Sequence, residues 1–169
     1  VAVILELAKI MKKIPPPIGV SLVLFDAEDY GTSADSWSYA KGSQFFAQNI
    51  PINYPMYAIN LDMIADREPE FYIERYSYQQ NPTLVLELWE LAESLNLDTF
   101  KKQAKYTIFD DHVPLYQMAG IPAIDIIDFD FPNEKTNYHH THQDIVQNCS
   151  PKGLGEVGTL MLNHIYNIK

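Results

Sequence analysis

The sequence predicts an α/β domain whose sheet is mostly parallel and flanked by helices. Three observations predict it. Short apolar runs rich in β-branched residues, at 20–25 (VSLVLF), 57–64 (YAINLDMI) and 123–127 (AIDII), have the composition of strands buried on both faces. Stretches with helical periodicity stand between them, and strands alternating with helices build parallel sheets. The chain's 169 residues, 47% hydrophobic and 20% charged, suffice for one core and not comfortably for two, so 1–169 reads as one domain.

The elements follow in order. Residues 1–13 read as a helix, with Val3, Leu5, Leu7, Ile10 and Met11 roughly on one face and Lys12 and Lys13 at the end that favours cations. Pro15, Pro16 and Pro17 stop it. The strand at 20–25 comes next, then a helix over 36–49 carrying Trp37, Tyr39, Phe45 and Phe46. The second strand is 57–64, and 70–76 reads as a third. Leu84, Leu88, Leu91 and Leu95 make 83–97 the clearest helix, with Asp98 placed to cap a short helix after it. Residues 113–118 form a short helix closed by Gly120, 123–127 a strand, and 152–166 the last helix. The chain opens at Val1 straight into helical pattern, without a cap or a signal peptide, as a chain does that starts inside a domain.

Charge narrows the function. Twelve Lys and Arg stand against 22 Asp and Glu, a formal charge of -10. The basic clusters, Lys12-Lys13 and Lys101-Lys102, are too small to neutralise a phosphate backbone, which argues against nucleic acid as partner. No apolar run approaches the roughly 20 residues of a membrane span. The single cysteine, Cys149, excludes an internal disulfide and a CxxC zinc site.

The acids sit where such a sheet collects ligands, beyond the carboxyl ends of its strands. VSLVLF runs into Asp26, Glu28 and Asp29; YAIN into Asp62; YTIF into Asp110, Asp111 and His112; AIDII into Asp128. One loop then supplies imidazole, at His139, His140 and His142, with Asp144 behind. Crowded carboxylates raise one another's pKa unless protons or a cation intervene, and carboxylate oxygen with imidazole nitrogen suits zinc. Any one of these acids alone reads equally well as a helix cap or a solvated loop residue. The histidines do not form the HExxH pattern of a metalloprotease helix. Trp89 reads as core, His164 as a packed or surface imidazole, Asp111 as an acceptor of backbone hydrogen bonds, and His112 as a group that orients an active-site carboxylate.

Taken in order, LFDAEDYG (24–31), INLDMI (59–64), FDDHVPLYQMAGIPAIDII (109–127) and HHTHQD (139–144) resemble the zinc aminopeptidase and glutaminyl cyclase superfamily, the M28-like peptidases. The opening VAVILELAK resembles the helix that follows a metal-binding Asp loop in that family. The resemblance implies a three-layer sandwich, a mostly parallel mixed sheet between helices, incomplete at the N-terminus here. Asp110-Asp111-His112 followed by Val-Pro resembles the cyclase DDHxPF more than the peptidase SDHxPF, and GIPAIDII resembles bacterial cyclase-type members.

The resemblance implies zinc-dependent conversion of N-terminal glutamine to pyroglutamate on peptide or protein substrates, with ammonia released. Carried over by motif, Glu28 is the general acid and base, and Asp62 and Asp110 are catalytic carboxylates sharing a proton. Asp29 and His140, the latter heading His-Thr-x-x-Asp, are zinc ligands, and a third Asp ligand is expected upstream of this chain. Trp37, Phe109 and His139 are substrate-pocket residues, although His139 stands where the family usually has Trp. Two alternatives stay open: a two-zinc aminopeptidase, in which Asp62 binds the second metal, and a non-catalytic relative. Bacterial members of this kind are usually exported, so the resemblance implies the periplasm or cell envelope.

Overall fold

The computed structural model describes residues 1–51 and 53–167. Its first helix, α1 (Ala2–Lys13), runs to Lys12 and Lys13 as the periodicity indicated and buries Val3 and Leu7. Helix α2 (Lys41–Gln48) precedes strand β1 (Ala58–Asp62). Strand β2 (Phe71–Ile73) leads into helices α3 (Arg75–Gln80) and α4 (Pro82–Ser94), and then strand β3 (Phe100–Ala104). Helix α5 (His112–Ala119) ends at Gly120 in the left-handed region, φ 67°, the C-terminal glycine read from the sequence. Strand β4 (Ala123–Ile127), the small hairpin β5 (Pro132–Asn133) and β6 (Thr136–Asn137), and helix α6 (Pro151–Asn167) complete the chain.

The two main ladders are parallel, β1 with β4 and β2 with β3, and the small β5–β6 hairpin is antiparallel. Alternation along β4 sets the layers. Ile124 and Ile126 enter a core with Leu7 of α1, Leu88 and Trp89 of α4, and Leu160 of α6. Ala123 points the other way, into a smaller core with Ala47 of α2 and Leu115 of α5. Helices therefore cover both sides of the strands, the α/β sandwich expected. Trp89 is core as read, and its indole N–H donates to the Phe71 and Lys101 carbonyls at 3.3 and 3.0 Å, pinning α4 to β2 and β3.

Four local expectations are corrected. Residues 20–25 form no ladder among the described residues, and Leu22 and Leu24 are exposed rather than buried on both faces. The helix expected over 36–49 breaks at Ala40, φ 52°, into a single 3-10 turn (Ser36–Ser38) and α2, because the Ala40 N–H bonds the Glu28 carbonyl instead of its own helix. The strand expected over 70–76 stops at Ile73, because the Glu74 carboxylate accepts the N–H groups of Tyr76 and Ser77 and starts α3. No helix follows Asp98; the chain enters β3, and Asp98 pairs with Lys152 at 2.9 Å.

Leu88 is fully buried, whereas Leu86 on the same helix is 44% exposed. Leu88→Ala is expected to cost about 2–5 kcal/mol of unfolding free energy, and Leu86→Ala about 0.5 kcal/mol or less, both read from urea denaturation.

Candidate active site

Three loops build the site, and each is bent where it delivers its side chain. Ala27, before Glu28, has φ 51°; Met63, after Asp62, has φ 48°; His140 itself has φ 57°. The left-handed region costs a residue with a Cβ about 1–3 kcal/mol, and it persists only where surrounding contacts enforce it. Those contacts are visible for the first loop. The carbonyls of Asp26, Ala27 and Glu28 accept the N–H groups of Gly42, Lys41 and Ala40, at 3.0, 3.2 and 2.8 Å. Gly42 permits this approach, since a Cβ there would lie 2.5 Å from the Asp26 carbonyl oxygen.

The loops place Asp29 and His140 side by side, with His140 Nε2 2.7 Å from Asp29 Oδ1. Both are exposed, in keeping with a place that substrate reaches. An open cavity of about 420 Å³ lies against Ala27, Glu28, Asp29 and Tyr30. His139 stacks beside His140, ring centroids 3.8 Å apart, and against Phe129 at 5.5 Å. Trp37 meets Phe109 edge to face at 5.0 Å. Glu28, Asp29, His139 and His140 lie in these loops, Asp62 at the end of β1, Trp37 in the 3-10 turn, and Phe109 and Asp110 in the segment that leads into α5.

The acids repel one another as the sequence implied. Burial, reinforced by Asp110 and Asp29, pushes the half-buried Glu28 up to about 8. Burial, with Asp62 and Asp111 close by, pushes Asp110 up to about 7. Burial also raises Asp62 and Asp111. Asp111 departs from its expected part: its side chain makes no cap bond to α5, and its Oδ1, buried, has no hydrogen-bond partner.

Behind these loops lies a buried polar group that the sequence did not single out. Asn60 on β1 pairs in register with Asp125 on β4, on the strand face opposite the Ile124 and Ile126 core. The Asn60 amide donates to Asp110 Oδ2 at 2.7 Å and to Asp125 Oδ1 at 3.1 Å. His112 bonds Glu74 Oε2 through Nε2 at 3.1 Å, and its Nδ1 stands 3.9 Å from Asp125 Oδ2, neither atom having a hydrogen-bond partner. The hydrogen bond of His112 thus goes to Glu74, which is not one of the acids read as catalytic. The missed signal was an acid at the centre of AIDII, a run read as buried on both faces, where an acid requires a partner. Glu74 carried no such mark.

Two donor sets can hold a metal. Asp29 and His140 offer the oxygen and nitrogen that zinc prefers, at an exposed position where an ion keeps room for substrate. Donor atoms of Asp110, His112 and Asp125 lie within 4.8 Å of one another, which is also consistent with a metal site. That second set is buried; the Asn60 amide bonds one oxygen of each of its acids, while Asp125 Oδ2 and His112 Nδ1 have no hydrogen-bond partner.

Two outcomes follow from this geometry. Alanine at Gly42 gains up to about 1 kcal/mol in helix propensity but must displace the Asp26 backbone. The clash wins, so Gly42→Ala is expected to destabilise by about 1–3 kcal/mol in thermal unfolding. Burial raises Asp128, behind β4, to about 6, above the roughly 3.9 of an unfolded Asp. A raised carboxyl adds stability below its unfolded pKa and loses it as pH climbs through the folded one. Asp128→Asn is expected to flatten the fall in stability between about pH 4 and 6, measured by denaturation across that window.

Comparison with known proteins agrees with the architecture. The family model for peptidase family M28 matches residues 1–165. The chain is 25% identical to aminopeptidase YwaD of Bacillus subtilis over 98% of its own length and 35% of that protein. It superposes on a Bacteroides thetaiotaomicron glutaminyl cyclase bound to N-acetylhistamine at TM-score 0.93 and 30% identity, covering 99% of this chain and 60% of that one. A Zn-dependent exopeptidase from Parabacteroides distasonis superposes at TM-score 0.91 and 32% identity, covering 98% and 60%. The chain thus spans about a third of the curated relative and about three fifths of the solved ones. With parallel strands between helices and acid-bearing loops at their carboxyl ends, this chain belongs to peptidase family M28.

Proposed function

We propose that the chain carries the site of a zinc-dependent glutaminyl-peptide cyclotransferase, which converts N-terminal glutamine to pyroglutamate and releases ammonia. The observation that carries this reading is the set of proton-holding acids, Glu28, Asp62 and Asp110, beside the Asp29–His140 pair. The similarity to a glutaminyl cyclase supports it, and the M28 family points to peptides as substrates.

In the reaction the substrate's free α-amine attacks the carbon of its own side-chain amide. A nitrogen–carbon bond forms, the amide's carbon–nitrogen bond breaks, and ammonia leaves. The attacking group is held in the same molecule, so closing a five-membered ring benefits from high effective molarity. The amine must lose a proton and the leaving nitrogen must gain one, and Glu28 performs both transfers. Burial and the neighbouring Asp110 and Asp29 raise its pKa, which favours a carboxyl that can both take and return a proton. Asp62 and Asp110 hold a shared proton, because two buried neighbouring acids do not both ionise easily. Trp37, Phe109 and His139 wall the glutamine side chain with aromatic surface. Asp29 and His140 would hold zinc, which when bound would supply Lewis-acid polarisation of the γ-carbonyl.

A second reading, a two-zinc aminopeptidase, is favoured by the similarity to aminopeptidase YwaD and to a Zn-dependent exopeptidase. Asp62 then binds a second metal, and Glu28 takes a proton from water. The test uses the natural protein in its entire length, with zinc added, and one peptide beginning with Gln and one beginning with Leu. Mass spectrometry is expected to show ammonia lost from the first and the second intact. Removal of the first residue from the Leu peptide establishes the aminopeptidase, and no change in either points to a non-catalytic relative. Glu28→Gln is expected to lower the cyclisation rate about 10²–10⁴-fold.

A further inference from the structure

Asp110 is the most constrained acid of the site. Its Oδ1 accepts the Asp111 N–H at 2.6 Å, and its Oδ2 accepts the Asn60 amide at 2.7 Å. The second N–H of that amide goes to Asp125 Oδ1 at 3.1 Å. One side chain, rigid at its amide plane, thereby spans two acids that the chain brings from segments 50 and 65 residues away. Asn is the residue type suited to this place. An amide nitrogen carries two donors, whereas a carboxylic acid carries at most one and a carboxylate none. The backbone leaves Asn60 little freedom, since it pairs with Asp125 in the middle of the β1–β4 ladder.

We propose that Asn60 is a positioning residue for the reaction: its amide ties Asp110 to Asp125 and so holds the Asp110 carboxylate at one angle, with Oδ2 kept as an acceptor. The proposal rests on the reading of Asp110 as a catalytic carboxylate. Held through both oxygens, the Asp110 carboxyl keeps one orientation toward its neighbours. Its exchange of protons with its neighbours then runs along one path. Asp125 is the anchor of the tie. It is fully buried, and its backbone N–H donates to Ser77 Oγ at 2.8 Å, which in turn bonds Glu74.

The test compares Asn60→Asp and Asn60→Ala in the natural protein, with kcat and KM measured on a peptide beginning with Gln. Asn60→Asp keeps the shape and removes the double donor; Asn60→Ala removes both shape and donors. Both are expected to lower kcat at least tenfold with KM within twofold, because the donors align a proton-handling group and touch no substrate. Wild-type kcat in Asn60→Asp with loss only in Asn60→Ala shows that Asn60 merely fills space, and overturns the proposal. A loss confined to KM overturns it as well. If Asn60→Asp fails to fold, Asn60→Asp combined with Asp125→Asn restores the wild-type number of buried acids without restoring the link to Asp110. That double variant is expected to fold and stay slow, and wild-type kcat in it overturns the proposal. Asp110→Asn is the control: if it keeps full activity, the reading of Asp110 fails, a result distinct from failure of the role given to Asn60.

Discussion

One buried carboxylate organises the elements around the site. Glu74 is 1% exposed and accepts five donors: the N–H groups of Tyr76, Ser77 and Ile108, the Ser77 hydroxyl, and the His112 ring. These come from α3, from the segment that leads to Asp110, and from α5. Burial works against the charge of Glu74, yet the bond and attraction of His112, with the backbone donors, bring its pKa below the usual carboxylate range. Such a group stays ionised because every lone pair is used, and removing any one partner leaves a buried charge undersupplied. Asp110, His112 and, through Ser77, Asp125 all take their places from this one side chain.

The site in front of that anchor has the opposite character. Glu28, Asp62, Asp110, Asp111 and Asp125 all have raised pKa values, and burial is the first cause for each. Acids gathered in this way cost stability and hold protons near neutral pH. The fold brings them together from different places: Asp62 ends β1, Asp125 lies within β4, and Asp110 and Asp111 stand at the start of α5.

Loop geometry, rather than ladder geometry, aims the groups at the exposed edge of the site. Ala27, Met63 and His140 take left-handed backbone angles beside Glu28, beside Asp62 and at the imidazole itself. No glycine stands at any of the three, so the strain is held by neighbouring contacts such as the three bonds from 26–28 to 40–42. Farther out, Lys105 clamps the loop that carries the histidines, bonding Asp130 at 2.6 Å and Glu134 at 2.5 Å while lying over the Tyr72 ring at 4.5 Å. From Tyr106 through Phe129 to His139, aromatic rings pack in succession, with centroid spacings of 5.6 and 5.5 Å, and carry that clamp toward His140.

By itself the sequence determined the elements whose signal is local. The periodicity of α1 and α4, the glycine closing α5 and the β-branched run of β4 each reflect physics acting within a few residues, and each stands where it was read. The motif order also named the acids and the imidazole that meet across the loops. What tertiary structure alone decided are the things set by distant partners. Residues 20–25 have the composition of a buried strand, but a ladder needs a partner that composition cannot name, and among the described residues they form none. The chain at 70–76 turned into a helix because a buried acid offered its N–H groups a better partner than a ladder would. Asn60 and Asp125 became a bridge only because parallel register set them face to face, and no local pattern records which residue of one strand lies beside which residue of another.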